Sequence, residues 1–168
     1  MSSSARAHLV YGFDLGSEEF NWQLKEAKTD SYGCQELVLP WFVYGSEDPE
    51  VEDSEDAFDE LANEVLLRAS GFDKVVSRDE PDYYELRQAA VKDYGVKVDS
   101  FNHLEYPRYA LFAIASESSA HTGEVRQVEF PSTILMAQWD RRLQIALRHL
   151  GITPTQRHPA WLLYPQYI

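Results

Sequence analysis

Cysteine is nearly absent: Cys34 is the only one in the chain. No internal disulfide can form, so stability rests on a core, and a reducing, cytoplasmic compartment is the expected setting. Long apolar runs are missing too. No window reaches the ~18 uninterrupted apolar residues of a membrane span, and residues 1–7 lack the apolar stretch of roughly 7–15 residues that marks a signal peptide. No Walker loop, dinucleotide fingerprint, GxSxG elbow or HExxH pair occurs, which leaves the enzyme classes that announce themselves by such spacings without support. The most telling absence is of positive charge, for between Lys28 and Arg68 there is neither Lys nor Arg. That stretch holds twelve acids, and they account for −12 of the formal net charge of −13.

What is present suffices for one domain. The chain has 168 residues, of which 44% are hydrophobic, enough to build one core. Residues 1–7 are expected to form a flexible tail and residues 8–168 a single α+β domain. Residues 8–15 (HLVYGFDL) read as a strand ending in the turn Gly16-Ser17, and 36–44 (ELVLPWFVY) as a second strand. Pro40 inside the latter removes a ladder donor, which implies an edge or a bulge. The residues between are expected to form a long loop with one extra short strand at most.

A helix is expected over 54–70, where Phe58, Leu61, Ala62, Val65, Leu66 and Ala69 recur at helical spacing. Asp53 or Ser54 would cap it, and Gly71 would close it. Pro81 opens a second helix to Tyr94, stopped by Gly95. Residues 96–103 and 108–116 read as strands joined by a turn at Glu105-Tyr106-Pro107, the second apolar on both faces and therefore central. Residues 124–130 are expected as a third late strand. Ser132 precedes a long helix to Leu150, and Gly151 and Pro154 end it. The apolar residues 158–168 (HPAWLLYPQYI) should dock back on the domain. The order is roughly ββααβββα. Short connections between the late strands imply a mainly antiparallel sheet of about four to five strands packed against about three helices.

Two segments carry candidate chemistry. The first is the acidic run of residues 47–60, with nine acids in fourteen residues: Glu47, Asp48, Glu50, Glu52, Asp53, Glu55, Asp56, Asp59 and Glu60. An EF-hand is excluded, because a loop starting at Asp48 would put Asp53 where Gly is required and Asp59 where a bidentate Glu is required. An acidic face repels nucleic acid and membranes and attracts basic partners. Regularly held carboxylates could also imitate a phosphate backbone and occupy the basic groove of a nucleic-acid-binding protein. The plain alternative is a solvated loop and helix start. If the run is only that, the interface moves to the aromatic end around Trp161, Tyr164 and Tyr167.

The second segment is Asp14-Leu15-Gly16-Ser17. After a strand, it resembles the first phosphate-binding turn of sugar-kinase and actin-like ATPases and the opening strand of RNase H-like nucleases. That resemblance implies a carboxylate at a strand end holding Mg²⁺, with Asp99, Glu105 or Asp140 as further ligands. It covers four residues, and the ATPases need a duplicated domain pair far longer than this chain. An ordinary strand-to-turn role is the simpler reading. The five histidines form no zinc-ligand spacing, and Cys34 has no identifiable base beside it. No cofactor or metal is expected.

The phrases Tyr11-Gly12-Phe13-Asp14-Leu15-Gly16, Glu105-Tyr106-Pro107-Arg108-Tyr109-Ala110-Leu111 and Trp139 through Leu163 (WDRRLQIALRHLGITPTQRHPAWLL) together resemble small uncharacterised proteins of actinobacteria and their phages. The resemblance spans most of the chain and implies no activity. A non-enzymatic acidic binding or regulatory protein, phage-encoded and engaging a basic protein, is the reading that follows. The alternative is a metal-dependent nuclease or phosphotransferase centred on Asp14.

Overall fold

The computed structural model describes residues 4–103 and 105–167. Its organising element is the first strand, β1 (Ala5–Gly16), which alternates between two faces. Tyr11, Phe13 and Leu15 enter the main core, whereas Val10 points into a second, smaller cluster on the opposite face. The strand starts at Ala5, so only Ser4 of the described residues precedes it; the rest of the expected tail, residues 1–3, lies outside the described residues.

The next three strands form a separate small sheet: β2 (Lys28–Thr29), β3 (Gln35–Leu39) and β4 (Phe42–Tyr44). The expected strand over 36–44 is thus a hairpin. Leu39 pairs with Phe42, and Pro40-Trp41 makes the two-residue turn. Proline cannot donate to a ladder but fits a turn, so the chain reverses where an edge strand or a bulge was expected.

Two helices follow, α1 (Phe58–Ala69) and α2 (Tyr83–Tyr94). The first starts four residues later than expected. Neither Asp53 nor Ser54 caps it; Ala57 occupies the cap position with no side-chain hydrogen bond. Ser54 is held elsewhere, exchanging bonds of 2.9 and 2.7 Å with Val43. The apolar stripe is nevertheless used as read: Phe58, Ala62 and Leu66 are buried in the core, and Leu61 and Val65 pack against it. Gly71, at φ 82°, leads the chain out of the helix in the left-handed conformation that glycine allows without strain. None of the residues of α2 is buried, so that helix lies at the periphery.

The sheet is completed by β5 (Val96–His103), β6 (Tyr106–Ala113), β7 (Ser118–His121) and, after the long helix α3 (Thr133–Leu150), by β8 (Ala160–Tyr167). All pairings are antiparallel. Tyr106 and Pro107 belong to β6, paired with His103 and Asn102, so the hairpin turn is tighter than the expected one. The expected strand over 124–130 does not form. The chain instead makes a 3₁₀ turn at Ile114–Ser116, pairs Ser118–His121 with β1, and then runs on in irregular backbone. At the interruption the Ser116 hydroxyl replaces a ladder carbonyl, accepting from the Tyr11 N–H at 2.8 Å.

Gly12 pairs with Phe112 on one side and Ala160 on the other, so β6 and β8 flank β1. The approach is close enough that a Cβ on Gly12 would lie 2.0 Å from the Leu111 carbonyl oxygen. The apolar C-terminal segment therefore docks as an integral strand of the sheet. Ser132, expected just before α3, caps it by accepting from the Leu135 N–H, and Gly151 ends it at φ 67°. Helices α1 and α3 cover one face of the sheet, where Phe58, Leu111, Ala113, Trp139, Leu143 and Leu147 share a single core. The outer edge of β5 is closed by the Asn63 side chain, which bonds both ways to the Val98 backbone at 2.7 and 2.9 Å. On the other face the sheet curls until β5 and β8 meet, Phe101 stacking on Tyr164 at 4.7 Å between ring centroids. Among the described residues no helix is long and apolar enough to cross a membrane.

Candidate functional site

The acidic run occupies the connection from β4 to α1 and the first turn of that helix. Local hydrogen bonds shape it. Asp48 accepts from the Glu50 N–H at 3.0 Å, and Asp53 accepts from the Ser46 N–H at 3.3 Å. Its far end is clipped to β4 by Ser54 and Val43. Glu47, Asp48, Glu50, Glu52, Asp53, Glu55, Asp56 and Glu60 are exposed, while Asp59 is half-buried. Among the described residues none of the nine carboxylates makes an ion pair.

The fold adds acids that the linear sequence does not reveal. Glu18, from the loop after β1, lies near Tyr44 and Asp53. Burial raises its carboxyl above the ordinary value and Glu19 and Asp53 push the same way, against a hydrogen bond with Tyr44. Asp59 is raised by burial and then by Asp99 on β5, with its helix N-terminal amides opposing. Tyr109, buried beneath this group, is pushed up to about 12, by burial first and then by Asp59 and Glu18. Glu18 thus stands beside the acidic run and Asp99 beside Asp59, neighbours that strand register and helix docking produce and local composition does not.

Asp14 lies on the other face of the sheet. It forms a two-pronged ion pair with Arg108, whose Nε donates to Oδ1 at 3.0 Å and whose Nη2 donates to Oδ2. Oδ1 also accepts from the Gly16 N–H at 3.1 Å and from the Tyr164 hydroxyl at 3.4 Å. The carboxylate is thus neutralised by a guanidinium that spans both of its oxygens, and a cation chelated there would have to displace it. Two of the three further carboxylates weighed for this site are engaged elsewhere: Asp140 accepts from Tyr11 on the helix-covered face at 2.8 Å, and Asp99 pairs with Lys97 at 2.9 Å. Among the described residues no three His, Cys, Asp or Glu side chains are grouped to hold a metal ion. The donor set does not fit the metal-centred reading of Asp14.

The aromatic residues of β8 do not form one surface. Trp161 packs on the helix-covered face between Tyr11 and Phe130, at 5.3 and 5.1 Å. Tyr164 is buried on the opposite face, and Tyr167 is exposed near the strand's end, opposite Ala5. Alternation along a strand separates them. Tyr164 is instead part of a pocket of about 330 Å³ that also includes Asp14, Arg108 and Phe20. Arg108 and Phe20 were not singled out by the sequence, since a lone Arg in an apolar strand carries no signal of its partner. Cys34 is exposed on the loop before β3. No protein-family model, curated protein or solved structure matches the chain.

Proposed function

We propose that this is a non-enzymatic binding or regulatory protein that engages a basic protein partner through its acidic face. The observation that carries the proposal is the exposed run of carboxylates on residues 47–60, none in an ion pair among the described residues, with Glu18 from the loop after β1 beside it. Clustered like charges oppose the compact state, and interspersed signs would keep the surface soluble equally well. A basic partner would relieve that repulsion, speed association and disfavour wrong partners. If the partner binds nucleic acid, the same face would act as a mimic of a phosphate backbone.

The test is capture of partners from the source cell with the wild-type chain and with Glu50, Glu52, Asp53 and Glu55 changed to Gln or Asn. The expected result is a basic protein whose association slows as salt rises and slows again in the fourfold variant, with thermal stability almost unchanged. Binding at low salt that survives the neutralisation would overturn the proposal. Competition by duplex DNA for the captured partner separates backbone mimicry from other acidic docking.

A further inference from the structure

Between β7 and α3 the chain runs from Glu124 to Ser132 without a helix, strand, turn or bend. Among the described residues, no backbone N–H or carbonyl of residues 125–131 hydrogen-bonds to the protein. Backbone groups without protein partners must be hydrated, which keeps this stretch on the surface, and Val125 is 98% exposed. The stretch is anchored at its two ends. At one, the Glu124 N–H donates to the His121 carbonyl at 2.9 Å across the turn at Gly123. At the other, Phe130 sits edge-on to Trp161 at 5.1 Å.

Between the anchors lies Arg126, its side chain more than half exposed. Its ion pair with Glu124 is long, at 3.9 Å, and stands in water, where it holds little. The other Lys and Arg residues are tied down. Most lie in α-helices or strands. Of the rest, the Lys25 N–H donates to the Thr153 carbonyl at 2.8 Å and the Lys74 N–H to the Gly71 carbonyl at 3.1 Å. Arg78 sits in a turn closed by the Glu80 N–H on the Ser77 carbonyl at 3.2 Å. Arg157 follows Gln156, whose amide donates to the Gly12 and His158 carbonyls at 2.9 and 2.6 Å.

We propose that the Arg126–Gln127 bond is a processing site for a protease of trypsin-like specificity. Such a protease takes its substrate as an extended strand, through main-chain hydrogen bonds, and receives the Lys or Arg side chain at a carboxylate. Residues 125–131 offer free main-chain groups on both sides of that bond, with an exposed guanidinium just before it. A bond inside hydrogen-bonded structure is cut only from an opened state, whereas this one needs little opening. Hydrolysis adds one water: the C–N bond breaks, a carboxyl group forms on Arg126 and an amino group on Gln127. The cut leaves the fold in place. The piece that follows it carries α3 and β8. Strand β8 stays paired with β1 from Ala5 to Gly12, and Leu143, Ala146 and Leu150 stay in the core. The chain becomes a two-piece assembly held by sheet and core alone, independently of the acidic face.

The test is brief digestion of the folded full chain with trypsin, the first products being read by intact-mass spectrometry. The expected pair is 1–126 and 127–168, formed at least about tenfold sooner than a cut at any other Lys or Arg. The two pieces should elute together from a sizing column in native buffer and separate in denaturant. Arg126→Gln should abolish the early cut, and Arg126→Lys should keep it. A first cut elsewhere, resistance of the whole chain, an early cut that persists in Arg126→Gln, its loss in Arg126→Lys, or separation of the pieces in native buffer would each overturn the proposal.

Discussion

At the scale of single residues, the largest energies lie where the chain is most crowded. Leu143 is fully buried between α3 and the sheet. Leu143→Ala should cost about 2–5 kcal/mol, lost transfer energy plus the cavity left behind, read as a lower denaturant midpoint with an unchanged slope. Gly12→Ala should be worse tolerated still, because its methyl would sit 2.0 Å from a carbonyl oxygen in the middle of the sheet. The acids bring a different residue-scale effect. Glu18 and Asp59 have folded-state carboxyl groups raised above their ordinary values of 4.5 and 3.8. A raised acid means that the folded chain holds protons more tightly than the unfolded one. These two groups therefore penalise folding at pH above their raised values, and the penalty fades as pH falls through them toward the ordinary values. Glu18→Gln should remove part of that pH dependence and leave the neutral-pH melting temperature unchanged or higher. A clear drop in that temperature would show that the Tyr44 hydrogen bond outweighs the repulsion.

At the scale of elements, β5 depends on α1 as much as on β6. Asn63 satisfies both the N–H and the carbonyl of Val98 on the strand's open edge. Asn63→Leu is close in size but offers neither group, so it should destabilise by about 1–3 kcal/mol, measured by chemical denaturation. The last strand has a larger role. It pairs with β1 from Ala5 to Gly12 and supplies Tyr164 to the concave cluster. A chain ending at residue 159 would leave that edge unpaired and the cluster open to water, and it should lose its cooperative unfolding transition. The second helix behaves oppositely. With no buried residue, α2 should exchange its amides faster than α3 does in a native-state hydrogen-exchange experiment.

At the scale of the whole molecule, the two faces of the sheet serve different ends. One is covered by α1 and α3 over the main core. The other curls around a smaller cluster and carries the Asp14–Arg108 pair beneath its pocket. The proposed partner surface draws its charge from the β4–α1 connection and the loop after β1. Neutralising four of its carboxylates should therefore weaken the salt dependence of association and leave the Asp14–Arg108 pair on the opposite face intact.

The sequence by itself determined the α+β class, the positions of β1, β5 and α3, the apolar stripe of α1 and the chain reversals at Gly71, Gly95 and Gly151. Each is set by interactions within a few residues: alternation, helical spacing, a serine cap, a glycine at positive φ. Tertiary structure decided the rest. Residues 124–130 were expected as a strand, yet Ser118–His121 takes the place beside β1, after a 3₁₀ turn that brings that segment into register. Ser54 is a good cap by type, but its bonds to Val43 hold it away from α1 and leave the cap to Ala57. Asp14 reads locally as a turn residue at a strand end, with a metal ligand as the alternative, and neither reading contains the partner that β6 sets against it from 94 residues away, Arg108. The charge of the acidic run was legible as composition, whereas its junction with Glu18 and Asp99 was not. Pairings between distant residues follow from how strands register and helices dock, and no local pattern encodes them.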